Sequence, residues 1–188
     1  MNAENHDAEH YDEDVFHHLV AERLVKGIPS PQDTVLDVGT GTGIAAIKAK
    51  QLLNPRRIIG VDIDEPMLTL ARAKDDDIEW LLGPAVPAPV DDASVDLVLC
   101  SSALHLIGMD VMTDARRVLR PGGRIAFSVP SGETFTGAAF VPKIPIPRNA
   151  DEAAALAKGF NNVAVEPFET NEERRRAVFL VHASDFRL

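Results

Sequence analysis

The chain has 188 residues, 45% of them hydrophobic and 26% charged, with a formal net charge of −10. These values fit one well-buried globular domain and leave little room for two. The acidity excludes a broad phosphate-binding surface, and no apolar run approaches the roughly 20 residues of a bilayer span.

Residues 1–13, MNAENHDAEHYDE, are acidic and polar, unlike a signal peptide, and predict a mobile tail. His6 and His10 stand four positions apart, but no cysteine pair or further ligand supports a metal site, and none is expected. From about Asp14 to Lys26, the residues Val15, Phe16, Leu19, Val20 and Leu24 fall on one helical face, and Pro29 and Pro31 end that helix. Strands are predicted at 34–38, 57–62, 78–82, 95–101 and 123–129. Helices are predicted at 43–53, 65–73 and 109–120, the last stopped by Pro121-Gly122-Gly123. Asp64 before Glu65-Pro66 has the form of a helix N-cap, and Trp80 reads as a core residue of its strand. This alternation implies βαβ units and a mainly parallel sheet.

The link at 83–94, GPAVPAPVDDAS, is too proline-rich for a helix, which makes one crossover irregular. The stretch PSGETFTGAAFVPKIPIPRNA, 130–150, reads as a long lid-like loop whose KIPIP segment lines a pocket or covers the sheet. A short helix follows at 151–158, and apolar runs at 162–168 and 177–183 can pair as an antiparallel hairpin at the sheet edge. The arginines at 174–176 read as a solvated lead-in to the second run. Residues 14–188 thus form a single domain. Cys100 is the only cysteine; it excludes an internal disulfide and fits a cytoplasmic location.

The stretch TVLDVGTGTGIAA, 34–46, carries the chemistry. A strand ends at Asp37, Gly39, Gly41 and Gly43 follow, and a helix begins, the order in which α/β proteins bind nucleotide-like cofactors. Asp62 closes the second strand about twenty residues further on, where a carboxylate accepts from two ribose hydroxyls. Asp37 discriminates among cofactors. A pyrophosphate would be repelled by it, whereas the α-ammonium of S-adenosylmethionine would be favoured, directly or through water, with backbone N–H groups serving the methionine carboxylate. Gly41-x-Gly43-x-x-Ala46 also fits a loose dinucleotide fingerprint, and an NAD-dependent oxidoreductase is the rival reading. Asp37-x-Gly39-x-Gly41-x-Gly43 accounts for more residues, and no Gly-Lys-Ser/Thr of a P-loop is present.

VLDVGTGTG, GVDIDEPMLTLAR, DDASVDLVLCSSALHLI and ARRVLRPGGRIAFSV resemble successive motifs of the class I S-adenosylmethionine-dependent methyltransferases. Among these, the ubiquinone and menaquinone C-methyltransferase branch is the nearest in pattern. The resemblance spans roughly residues 30 to 130 and extends to the tail LAKGFNNVAVEPF. It implies an α/β, doubly wound, Rossmann-like fold: a seven-stranded, mainly parallel sheet with an antiparallel edge hairpin and helices on both faces.

Residue by residue, Asp37, Gly39, Thr40 and Gly41 resemble the positions that wrap the methionine portion, with Gly43 completing the loop. Asp62 resembles the ribose-binding acid, Ile63 the contact to the adenine face, and Met67 the methionine near the base. Ala85 offers a backbone N–H to the base. Ser101 and Ser102 match the stretch beneath the reacting methyl group, and Tyr11 matches an aromatic that closes over the cofactor. His105 is the candidate base.

Pro84 departs from the family's Gly-Asp-Ala and removes an acceptor for the adenine amino group, unless Asp91, Asp92 or a carbonyl substitutes. A cofactor-binding protein without transferase activity is therefore the second alternative. Cys100-Ser101-Ser102-Ala103 stands where base-amino methyltransferases carry Asp/Asn-Pro-Pro-Tyr/Phe. The expected partner is a small-molecule acceptor, not nucleic acid, with S-adenosylhomocysteine as product and no expectation of oligomeric state.

Overall fold

Thr34–Val38 is buried along its whole length and forms β1, at the middle of the parallel part of the sheet. The computed structural model describes residues 12–136, 141–171 and 175–186. Before β1 stands α1 (Val15–Lys26), and after it come α2 (Ile44–Leu53), β2 (Arg57–Asp62), α3 (Glu65–Lys74), β3 (Glu79–Leu82) and β4 (Val95–Cys100). Then follow α4 (Leu104–Ile107), α5 (Asp110–Val118), β5 (Leu119–Pro130), α6 (Ala150–Ala154), β6 (Phe160–Thr170) and β7 (Arg176–Phe186).

The seven strands form one sheet in the order β3-β2-β1-β4-β5-β7-β6. β3, β2, β1, β4 and β5 pair in parallel, whereas β7 is antiparallel to both β5 and β6. Alternation along the strands divides the core. Leu36, Val98 and Phe127 pack with Val111, Met112 and Ala115 of α5 on one face. Val35, Leu97 and Leu99 pack with α1 and α2 on the other. Among the described residues, no helix is long and apolar enough to cross a membrane.

The helix predicted at 109–120 is α5, and the short α4, which was not predicted, precedes it across Gly108 at φ 113. Two expectations change. Pro121-Gly122-Gly123 does not end structure but sits inside β5. The β4–β5 register jumps from Val95↔Leu119 to Leu97↔Arg124, so residues 120–123 form a bulge, with Gly122 at φ 84. In α1, Val15 is 51% exposed, and Ala21 and Val25 take the buried positions beside Phe16, Val20 and Leu24.

The helix α1 is fastened to β7 at both ends. Asp14 caps it by accepting from Phe16 N, and pairs through both carboxylate oxygens with Arg176, whose guanidinium lies 4.1 Å over the Phe16 ring. Arg176 is thus a tie across the fold, not a solvated residue. At the other end, His182 Nε2 donates to Leu24 O at 2.8 Å. A Cβ on Gly27 would lie 2.6 Å from the His182 ring.

Candidate active site

The glycine loop leaves β1 in the left-handed region at three places, Gly39 (φ 65), Gly41 (φ 55) and Gly43 (φ 84). Two of these glycines also answer to packing: a Cβ on Gly39 would stand 2.8 Å from Ala103 Cβ, and one on Gly43 would stand 2.5 Å from Trp80. Around Gly41 there is nothing within 4 Å, so its backbone borders open space. Trp80 is half-buried. It covers Gly43 and Gly60 and donates its Nε1–H to Asp75 O at 2.8 Å.

Gly39 N and Thr40 N donate to Val61 O at 2.9 and 3.0 Å, and Gly41 N donates to Asp62 Oδ2 at 2.7 Å. These N–H groups are committed within the protein. They do not form the open anion-binding nest expected for a methionine carboxylate. Asp62 accepts a second backbone bond, from Asp64 N to Oδ1 at 3.0 Å, and each of its oxygens keeps acceptor capacity. Asp64 caps α3 by accepting from Met67 N.

Asp37 lies under the loop, 1% exposed. Its Oδ2 accepts from Thr40 Oγ1 at 2.6 Å. Its Oδ1 is buried with no hydrogen bond of ordinary geometry, although the Ala46 backbone N–H favours the charged form. Burial pushes the carboxyl up to about 7, with the Asp62 charge adding to the effect. Cys100 is buried in the same region. Burial, with the Asp37 charge, holds its thiol far above the usual range.

A cavity of about 530 Å³ opens at the carboxyl ends of β1, β2 and β4, where the strand order reverses between β1 and β4. The structure brings eight of the predicted residues to its wall: Gly39, Gly41, Asp62, Ile63, Met67, Ala85, Ser101 and Ser102. Asp37, Thr40, Gly43 and His105 stand behind the wall, and Tyr11 lies outside the described residues. Ile63 is 76% exposed, an apolar side chain presented to the cavity rather than to the core. Ser102 takes φ 55, held there by its N–H donating to the buried Ser128 Oγ at 2.7 Å.

Val86 and Asp110 carried no signal in a local motif. They line the cavity with Pro84, with Leu106 and Ile107 of the SSALHLI motif and with Lys143 of KIPIP. The proline-rich link that supplies Pro84–Val86 is irregular, as expected, but firmly held. Arg117 donates to Ala88 O, Val90 O, Asp92 and Asp114, and Asp114 accepts from Ala88 N at 2.7 Å. These carboxylates raise the Arg117 pKa further. Asp92 is thereby engaged away from the cavity, and Asp91 does not line it, so neither replaces the missing acid at Pro84.

His105 is 6% exposed, its ring edge-on to Phe135, and burial lowers its pKa to about 4, with His17 adding to the effect. Its backbone O accepts from Lys143 N at 2.8 Å and draws the 130–150 loop onto α4. The KIPIP segment does both things considered for it: Lys143 lines the cavity and Ile144 is buried in the core.

Residues 36–127 match the methyltransferase domain family. The chain is 40% identical over 107 residues to an arsenite methyltransferase of Halobacterium salinarum, covering 53% of this chain and 27% of that protein. It is 36% identical over 119 residues to a malonyl-[acyl-carrier protein] O-methyltransferase of a Marinomonas species, covering 60% and 44%. The chain thus spans less than half the length of these curated relatives. In fold it is similar to a SAM-dependent methyltransferase of Thermotoga maritima, with TM-score 0.72, 21% identity and 94% of each chain covered. It also resembles the phosphoethanolamine N-methyltransferase 2 of Haemonchus contortus, solved with S-adenosylhomocysteine, with TM-score 0.69, 16% identity, and 93% and 53% covered.

Residues 36–127 are thus a methyltransferase domain, and the motifs and seven-stranded topology are those of the class I S-adenosylmethionine-dependent methyltransferases. S-adenosylmethionine is the cofactor of that class. The cavity fits it on this structure's own terms: a carboxylate with spare acceptor capacity, an exposed isoleucine beside it and a glycine backbone bordering open space.

Proposed function

We propose that the chain transfers the methyl group of S-adenosylmethionine to a small organic acceptor by in-line displacement. The observation that carries this reading is the junction of Asp62 and Ile63 with the open backbone at Gly41 on one cavity wall. Asp62 would accept from the ribose hydroxyls while bracing the loop through Gly41 N, and Ile63 and Met67 would flank the base. The backbone of Pro84–Val86 would meet the edge of the base in place of the absent acid. Asp37 would act on the cationic part of the cofactor through its field from beneath the loop, since it does not reach the cavity.

Bound S-adenosylmethionine supplies an electrophilic methyl carbon on a sulfonium leaving group. The chain's task is then position: Ser101 and Ser102 form the floor, fixed by Ser128, and Leu106 and Ile107 limit where an acceptor can lie. No nucleophilic side chain is needed. His105, behind the wall and held neutral by burial, supports the α4 turn in this reading and is not the group that removes a proton.

The test is calorimetric titration of the purified chain with S-adenosylmethionine, S-adenosylhomocysteine and NADH. Micromolar binding of both adenosyl compounds without NADH binding supports the reading. Failure of both to bind overturns it.

A further inference from the structure

We infer that Lys143 anchors a carboxylate of the acceptor, so that the substrate is an organic acid whose body lies against Val86, Leu106 and Ile107. This rests on the methyltransferase reading for the word acceptor, but the anion site is defined by the residues themselves. Lys143 is the one cation among the described residues that line the cavity, where Asp62, Asp64 and Asp110 supply three carboxylates. The chain as a whole carries 29 acidic residues against 19 Lys and Arg. Most described cations near the site have used that surplus: Lys50 pairs with Asp75 and Asp77, Lys74 with Asp12, and Arg117 with Asp92 and Asp114. Lys143 has no carboxylate within ion-pair distance among the described residues.

Its placement is built rather than incidental. The Lys143 N–H donates to His105 O, and Ile144, the next residue, is 5% exposed in the core. A Cβ on Gly108 would stand 3.7 Å from Lys143 Cβ and 4.0 Å from Cδ, so the stem runs along the bare backbone at the end of α4. A flexible cation is thus tethered at its root beside an apolar wall. An anionic acceptor would meet only repulsion from the carboxylates of this cavity without it.

The same charges raise the opposite possibility, an amine held by Asp110. Asp110, however, stands in the first turn of α5, where a carboxylate is stabilised by the helix N-terminus and needs no ligand. Lys143 lies in a loop and has no such account.

The experiment uses the full chain saturated with S-adenosylhomocysteine. Benzoate, benzamide and benzylamine, then hexanoate, hexanamide and hexylamine, are titrated by ligand-detected NMR into wild type, Lys143→Met and Lys143→Arg. Carboxylates should bind at least about tenfold tighter than the matched amides, one charge-assisted hydrogen bond's worth. Lys143→Met should abolish that preference and Lys143→Arg should keep it, with S-adenosylhomocysteine affinity equal in all three. Amine preference, absence of carboxylate binding, or a carboxylate preference that survives Lys143→Met each overturns the inference. If S-adenosylhomocysteine itself does not bind, the methyltransferase reading fails instead. The carboxylate series on the cofactor-free chain still decides the role of Lys143.

Discussion

The pKa values of Asp37 and His105 are displaced in opposite directions by one cause, burial. The folded Asp37 carboxyl holds its proton up to about pH 7, whereas the unfolded chain loses it near 3.8. Its ionisation therefore penalises folding fully above pH 7, and the penalty fades as pH falls towards 3.8. The folded His105 ring takes a proton only near pH 4, whereas the unfolded ring takes one near 6.5. Folding thus loses stability on acidification through the window from 6.5 to 4. The two slopes oppose each other there, and single substitutions should expose them. Asp37→Asn should raise Tm relative to wild type more at pH 8 than at pH 5, and His105→Gln should flatten the loss of Tm between pH 6.5 and 4. Thermal unfolding of the three proteins across that range checks both signs.

Asp62→Ala removes the brace on Gly41 N as well as a ribose acceptor. It should weaken S-adenosylhomocysteine binding by about a hundredfold, on the scale of two charge-assisted hydrogen bonds, as read by calorimetry. Asp62 and the loop glycines were legible because a short contiguous pattern carries them. Asp110 was not, and KIPIP was legible only as a pocket lining or a cover, since only the folding of that distant loop onto α4 brings Lys143 to the same wall.

Among the elements, the link at 83–94 shows what local composition can and cannot say. Its prolines made it legible as irregular, but its rigidity comes from Arg117 and Asp114 on α5, whose bonds to the link span 26 and 29 residues and have no local signature. Arg117→Ala would leave Asp114 largely buried with one partner fewer, and should cost about 2–4 kcal/mol. It should also loosen the Pro84–Val86 wall, lowering S-adenosylhomocysteine affinity by a smaller factor than Asp62→Ala. Denaturant titration and calorimetry on the same variant separate the two effects. The Pro121-Gly122-Gly123 stretch misled for a related reason. Its residues permit a turn, but strand pairing on either side absorbs them as a bulge. At Gly60, in the middle of β2, an added Cβ would fall 2.5 Å from Trp80. Gly60→Ala should cost about 1–3 kcal/mol by moving the ring that also covers Gly43, with a red shift in Trp80 fluorescence as its signature.

Over the whole molecule, the seven-stranded, mainly parallel sheet and its antiparallel edge hairpin followed from the family resemblance, whereas the ties between the ends of the chain did not. Asp14 and Arg176 are 162 residues apart, and Leu24 and His182 are 158 apart, so no sequence window joins them. Gly27→Ala would force the His182 ring off Leu24 O and should cost about 1–3 kcal/mol. Equilibrium unfolding should show it as a lowered midpoint with the denaturant slope unchanged.

Cys100 gives the molecule a clock. Its thiol is fully buried at the end of β4 against the floor of the cavity, and it is the only one in the chain. A thiol held so far from ionisation reacts with an alkylating or disulfide reagent only when the sheet opens around it. The labelling rate of the native protein therefore counts openings at the centre of the fold, with no probe to be introduced and no second site to confuse the signal. Ligands that close the cavity should slow that count in proportion to their occupancy.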